Sequence, residues 1–174
     1  VIQFSIAGLV ARRNPFKMLR TMLTAYVTAL GTQSSAATIP VTLQQTLKLG
    51  VRKEIAEFVV PLCATIHLSG STMKIVACSL AVMMLGGYPI STSTYVGFIM
   101  MLGITMIAAP GVPGGAIMAA VGILQTMLGF DETMIGLMIA LYIAMDSFGT
   151  ATNVTGDGAV TVIIDKLYGS RHRQ

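Results

Sequence analysis

The chain has 174 residues, 54% hydrophobic and only 10% charged, with a formal net charge of +4 and no Trp. Soluble domains carry about a quarter charged residues, so this composition excludes an ordinary soluble globule and indicates a membrane protein. The basic excess forms no patch among aromatics, which argues against nucleic acid as a partner. Cys63 and Cys78 lie in apolar runs and read as small buried thiols rather than a disulfide framework.

Residues 1–11 read as the end of a spanning helix whose start precedes Val1, running into Arg12 and Arg13. Ten of the eleven basic residues fall in three clusters: Arg12, Arg13, Lys17 and Arg20; Lys48, Arg52 and Lys53; Lys166, Arg171 and Arg173. Lys74 stands alone. The positive-inside rule puts the three clusters on the cytoplasmic side. The chain must therefore leave and return between Met18 and Leu47, too short a stretch for two crossings of about 20 residues each. Its middle, Gly31 to Pro40, is polar and Ser-rich. A re-entrant hairpin over 15–50 is expected, two half-length helices meeting at Ser34 and Ser35. Such backbone is tolerated at membrane depth only inside protein or beside a wet cavity.

Residues 54–87 are expected to cross once, interrupted at His67-Leu68-Ser69-Gly70-Ser71 and closed by an extracellular turn at Gly86 to Pro89. Residues 91–130 repeat the first pattern upside down, with apolar arms around Pro110-Gly111-Val112-Pro113-Gly114-Gly115. The Pro and Gly content favours a second re-entrant hairpin, while the length also allows two complete crossings. Residues 132–168 form the last spanning helix, returning to the third cluster from acidic Asp131 and Glu132 outside. Hairpin plus broken span thus occurs twice in opposite senses. The expected fold is an all-α, multi-pass inner-membrane protein with two inverted repeats, a device of secondary transporters whose site lies where broken helices meet. A polytopic bundle kinked at Gly and Pro is the alternative.

Asp146, Thr150, Asn153 and Asp157 are spaced 4, 3 and 4 apart and share one helical face. Intramembrane acids default to functional roles with a partner to be named. These two lie about 16 Å apart along a helix, suited to an ammonium group and a cation respectively. The alternative is that both pair with Lys74 or helix ends for structure alone. The returning arms of the hairpins begin near Ser34-Ser35 and Gly114-Gly115, where free N–H groups would receive a carboxylate. Unwound carbonyls beside Thr65 to Ser69 and Met106 to Ala108 would suit sodium, since hard cations prefer oxygen.

Ser34-Ser35-Ala36-Ala37-Thr38-Ile39-Pro40-Val41-Thr42-Leu43 resembles the serine-rich first hairpin of the dicarboxylate/amino acid:cation symporters, the glutamate-transporter homologues. Gly111-Val112-Pro113-Gly114 is similar to their second hairpin tip, and Asn153-Val154-Thr155-Gly156-Asp157 matches their last-helix motif. The resemblance covers essentially the whole chain. It implies the core of an elevator-type transport domain, a homotrimer, and an N-terminal scaffold half not contained here. By position it implies that Asp146 binds the substrate amino group. Asn153 binds the α-carboxylate with the backbone at Ser35 and Val112, and Thr150 neighbours that pocket. Asp157 would ligate one sodium with backbone oxygens of Cys63, His67 and Asn153. Carbonyls around Thr65, Met106, Ile107 and Ala109 would hold a second.

Two departures bear on substrate and coupling. Gly149 stands where acidic-substrate members have an arginine, so a second substrate carboxylate would lie unpaired, and a neutral amino acid is expected. The family's Asn-Met-Asp-Gly-Thr signature is here His67-Leu68-Ser69-Gly70-Ser71, and Ser69 cannot replace the acid of a third sodium site. His67 reads equally as a packing residue or a proton-coupling one. His67, Ser71 and Lys74 share one helical face. Lys74 is expected to substitute for one cation that relatives bind, by reaching Asp157 or Asp146; the alternative is that it snorkels to the outer interface.

The leading function is secondary active symport of a small amino acid, or a related organic acid, coupled to sodium or protons. A non-transporting membrane half-chain that keeps the fold, for binding or regulation, is the alternative. Two hairpins sealing a site argue against an open channel. An enzyme is least supported, because no nucleophile–base pair or metal cluster is evident.

Overall fold

A computed structural model describes residues 1–171; Arg173 of the third basic cluster lies outside the described residues. Every regular element among them is an α-helix. After α1 (Ile2–Ala11), α2 (Pro15–Thr32) and α3 (Ser35–Lys48) form a hairpin. Asn14 accepts from the N–H groups of Phe16 and Lys17 and Pro15 takes the first helical position, so α2 starts where its free donors are satisfied. The turn into α3 is one left-handed residue, Gln33 (φ 51°), followed by Ser34, whose hydroxyl accepts from Ala37 N–H.

α4 (Lys53–Ile66) and α5 (Ser69–Leu85) are separated only by His67 and Leu68. α6 (Thr92–Met106) and α7 (Gly115–Leu128) form a second hairpin around the 107–114 loop. Pro110, Pro113 and Gly114, the last at φ +73°, keep that loop from continuing α6. α8 (Glu132–Ala144), capped by Asp131 on Met134 N–H, leads into α9 (Asp146–Arg171).

Two expectations need correction. The last element, expected as one helix over 132–168, is two helices bent by 61° at Met145. No Gly or Pro lies at the bend, and the Asp146 side chain just after it is turned to Lys74 and Gly114 rather than to its own helix. The unwinding expected from Thr65 onward is confined to His67 and Leu68, and Thr65 stays in α4 with its hydroxyl bonded to the Leu62 carbonyl.

Lys53–Leu85 is the one stretch among the described residues long and apolar enough to cross a membrane, and the bent α8–α9 pair passes the same test jointly. α3, α6 and α7, at 14, 15 and 14 residues, fall short of about 20. Two cores result. One, around Phe98, Leu102, Ile117, Leu124 and Met138, joins α5 to α8. The other, around Phe4, Met22, Ala25, Ala29 and Val154, packs α1–α3 on α9. The basic stretches are tied together: Arg13 donates to the Leu49 carbonyl beside Lys48, and Arg52 pairs with Asp165 at 2.7 Å, next to Lys166, and stacks on Tyr168.

Candidate functional site

The site lies where α5 of the first core faces α9 of the second. Asp146, Thr150, Asn153 and Asp157 are all buried, at 3%, 5%, 1% and 1% exposure, as their helical spacing implies. Opposite them, running the other way, stand Ser71 and Lys74 on α5 and His67, which lies in the break before that helix rather than on the helical face expected for all three. Three polar pairs form a ladder: His67 on Asp157, Ser71 on Asn153 and Lys74 on Asp146.

At the first rung His67 Nδ1 lies 2.8 Å from Asp157 Oδ1, and its Nε2 lies 2.9 Å from the Gln3 amide nitrogen. Donation from Nδ1–H to the carboxylate leaves Nε2 to accept from Gln3. Gln3 also donates to Ser69 Oγ at 3.2 Å. In the middle, Asn153 Oδ1 accepts from the N–H groups of Gly70 (2.7 Å) and Ser71 (3.3 Å), and Nδ2 donates to Ser71 Oγ at 3.0 Å. The interruption is held open this way: Leu68, at the N-cap of α5, has no capping side chain, and Asn153 from α9 supplies the acceptor. Tyr142 completes the rung by donating to Ser71 Oγ.

At the third rung Lys74 Nζ lies 2.9 Å from Asp146 Oδ1 and 3.3 Å from the centre of the Tyr142 ring. Asp146 Oδ2 accepts from Gly114 N–H at 2.8 Å, so the same carboxylate fastens the second hairpin tip. Lys74 therefore does not snorkel; it is buried and paired. Of the two acids expected as its partner it takes Asp146, because His67 already holds Asp157. Gly149 makes the room. A Cβ there would lie 3.0 Å from Nζ and 3.3 Å from Cε. Gly149→Ala is accordingly expected to change stability by no more than about 1 kcal/mol, the helix propensity gained offsetting the crowding of a flexible lysine tip, read by equilibrium unfolding in detergent; a loss of about 3 kcal/mol or more would mean that the tip cannot step aside.

The two hairpin tips meet over this ladder. Ser34 Oγ and Ala36 N–H both donate to the Gly111 carbonyl, at 3.0 and 3.2 Å. A Cβ on Gly111 would run into the Ala64 carbonyl, which is why only glycine fits between tip and α4. Ser35, Ser71, Val112, Tyr142, Asp146, Thr150 and Asn153 line one cavity of about 10 Å³, room for a single water at most. Of the residues expected around a substrate, Ser35, Val112, Asp146, Thr150 and Asn153 thus come together. Ser34 is turned to the tip contact, and Gly114 reaches the cavity only through Asp146. Thr150 donates to the Gln33 carbonyl at 3.4 Å.

Among the expected cation ligands, Cys63, His67, Asn153 and Asp157 lie at the α4–α5 interruption and the facing turn of α9, and the Cys63 carbonyl accepts from His67 N–H. A buried carboxylate beside backbone carbonyls is oxygen chemistry that fits sodium. Any cation there shares Asp157 with the His67 ring. Met106, Ile107 and Ala109 lie at the end of α6 and in the loop beyond it, and the Met106 carbonyl accepts from Ala109 N–H. Tyr142 and Gln3 escaped the sequence reading, since a single aromatic or amide in an apolar helix has no spacing signature.

The profile of the sodium:dicarboxylate symporter family matches residues 1–167. The chain belongs to the sodium:dicarboxylate symporter family. Relatives include excitatory amino acid transporter 4 of Mus musculus, 31% identical over 160 residues, covering 91% of this chain and 28% of that protein. Excitatory amino acid transporter 1 of Homo sapiens is 32% identical over 165 residues (94% and 30%), and excitatory amino acid transporter 3 of Mus musculus is 34% identical over 160 (91% and 30%). The chain therefore spans under a third of the length of these symporter-family relatives. All-helical architecture and the apolar composition agree with a membrane transporter family.

Proposed function

We propose that this chain is the core of the transport domain of a sodium-coupled secondary symporter for a small neutral amino acid. The observation that carries the reading is the convergence of both hairpin tips on Asp146, Thr150 and Asn153, in a chain of this family. In this reading α2–α3 and α6–α7 are re-entrant hairpins, α4–α5 and α8–α9 are interrupted spans, and the two halves are inverted repeats. Arg13, Arg52 and Arg171 lie on the cytoplasmic side of the cell membrane, with Pro89 and Asp131 outside.

The substrate ammonium binds Asp146, and its carboxylate binds Asn153 and the backbone at Ser35 and Val112. Asp157, with backbone oxygens of Cys63, His67 and Asn153, holds one sodium; carbonyls around Thr65, Met106, Ile107 and Ala109 hold a second. Exposed Ile2, Leu9, Phe16, Met73 and Leu85 leave an apolar surface for lipid and for a scaffold half, assembled as a homotrimer. His67 on Asp157 adds a proton as a candidate coupling ion.

Uptake of labelled amino acids by the intact protein in liposomes, under imposed sodium or proton gradients, tests the whole reading. Tight aspartate or glutamate uptake would refute the neutral preference, because no arginine fork stands at position 149 and the cation beside it, Lys74 Nζ, is already paired with Asp146. Asp157→Asn is expected to weaken sodium activation at least tenfold; an unchanged sodium dependence removes that site. A second reading, a fold-retaining half-chain that binds without transporting, is favoured by the internal partners already seated on both acids. Uptake against a gradient excludes it.

A further inference from the structure

We propose that Lys74 is a built-in occupant of the ammonium subsite on Asp146, displaced by the amine of an incoming substrate and returning when the substrate leaves. The proposal rests on the substrate reading above and adds a competitor that the chain itself supplies.

Lys74 already makes the contacts a substrate ammonium needs. Its Nζ sits 2.9 Å from one oxygen of a buried carboxylate and 3.3 Å from the centre of an aromatic face. The other oxygen is taken by Gly114 N–H. A second ammonium would therefore have to share an oxygen that already has a partner. The adjoining cavity, about 10 Å³, cannot admit an amino acid while Lys74 and the tip stay in place. Glycine at 149 leaves the lysine tip the space it occupies, and its stem is flexible.

A structural role alone is a poor explanation for this pair. A buried ion pair seldom stabilises a protein more than apolar side chains of the same size would, yet removing one partner strands the other charge. That asymmetry suits a device that alternates partners. With substrate bound, Asp146 is neutralised by the substrate amine. Without it, Lys74 neutralises Asp146, and the second tip can stay fastened through Gly114. The carrier can then return unloaded, at the cost of a lower affinity for amines. A carboxylate without an amine cannot displace the lysine.

The test compares the intact protein with Lys74→Met in liposomes, using L-alanine, L-serine and propionate as probes. Lys74→Met is expected to bind alanine or serine at least tenfold more tightly, and to slow net uptake at least tenfold relative to exchange, since an unloaded carrier with a bare buried Asp146 does not close. Propionate should gain nothing. Unchanged affinity together with an unchanged ratio of net uptake to exchange overturns the proposal while leaving the transport reading intact. Absence of alanine and serine uptake by the unmodified protein sinks the neutral-substrate reading and this proposal with it. Should Lys74→Met not remain monodisperse, Lys74→Met/Asp146→Asn removes both charges. That double variant is expected to lose its preference for alanine over propionate, and a retained preference overturns the proposal.

Discussion

Asp146→Ala is expected to destabilise the protein by about 3–5 kcal/mol, because it strands the Lys74 ammonium in a site with 9% residue exposure. It also frees the Gly114 N–H that Asp146 holds, so the second hairpin tip loosens at the same time. Amino-acid uptake should be lost altogether. Pairing the substitution with Lys74→Met separates the two effects. Removing both charges is expected to restore most of the stability, since two apolar side chains replace an ion pair, but not the uptake. Equilibrium unfolding in mixed detergent, followed by helical circular dichroism, reads the first quantity. Equal losses in the single and double variants would show that the pair contributes no stranded charge, and that its burial is less complete than described.

Asn153→Ala carries the second large effect. The side chain satisfies two backbone donors at the start of α5, Gly70 and Ser71, and both lie inside the protein. Leaving buried donors unpaired costs about 1–3 kcal/mol each, so a loss of about 2–6 kcal/mol is expected. Ser71→Ala is the matched comparison. It removes the hydroxyl that receives from Asn153 Nδ2 and Tyr142 Oη but leaves the backbone donors capped. Its cost should be about 1–2 kcal/mol. If Ser71→Ala proved as damaging as Asn153→Ala, the hydroxyl rather than the cap would be what holds the interruption open.

The all-helical class and the family were legible because both leave marks on local sequence. Apolar runs, Ser and Pro-Gly tips, and the Asn153-to-Asp157 motif all sit in consecutive residues. The helical face shared by Asp146, Thr150, Asn153 and Asp157 was legible from period alone, and all four are buried on it. Period says which way a residue points, however, and not what stands across from it. Period alone therefore leaves Lys74 with two acids and an interface to choose from, and carries no sign of the Gln3 contact to His67, 64 residues away. The bend at Met145 was missed for a related reason. It has no Gly or Pro, and the contacts that hold Asp146 there, to Lys74 and Gly114, are remote in sequence.

The ladder between α5 and α9 has a mechanical consequence. Two of its rungs, Ser71 on Asn153 and Lys74 on Asp146, join the facing helices and the third, His67 on Asp157, ties the break just before α5, so shifting α5 along α9 by a single turn strips them together. Each stripped group would be left buried, which makes the seam resist shear as a unit. The 107–114 loop is fastened differently, through the Gly111 carbonyl, the Gly114 N–H and the small buried side chain of Ala109, while Val112 at its tip is half exposed. Peeling that loop away breaks these bonds one at a time, and water can replace each. The compliant part of the molecule is therefore the outer tip, and α5 with α9 behaves as the stiff keel to which it is hinged.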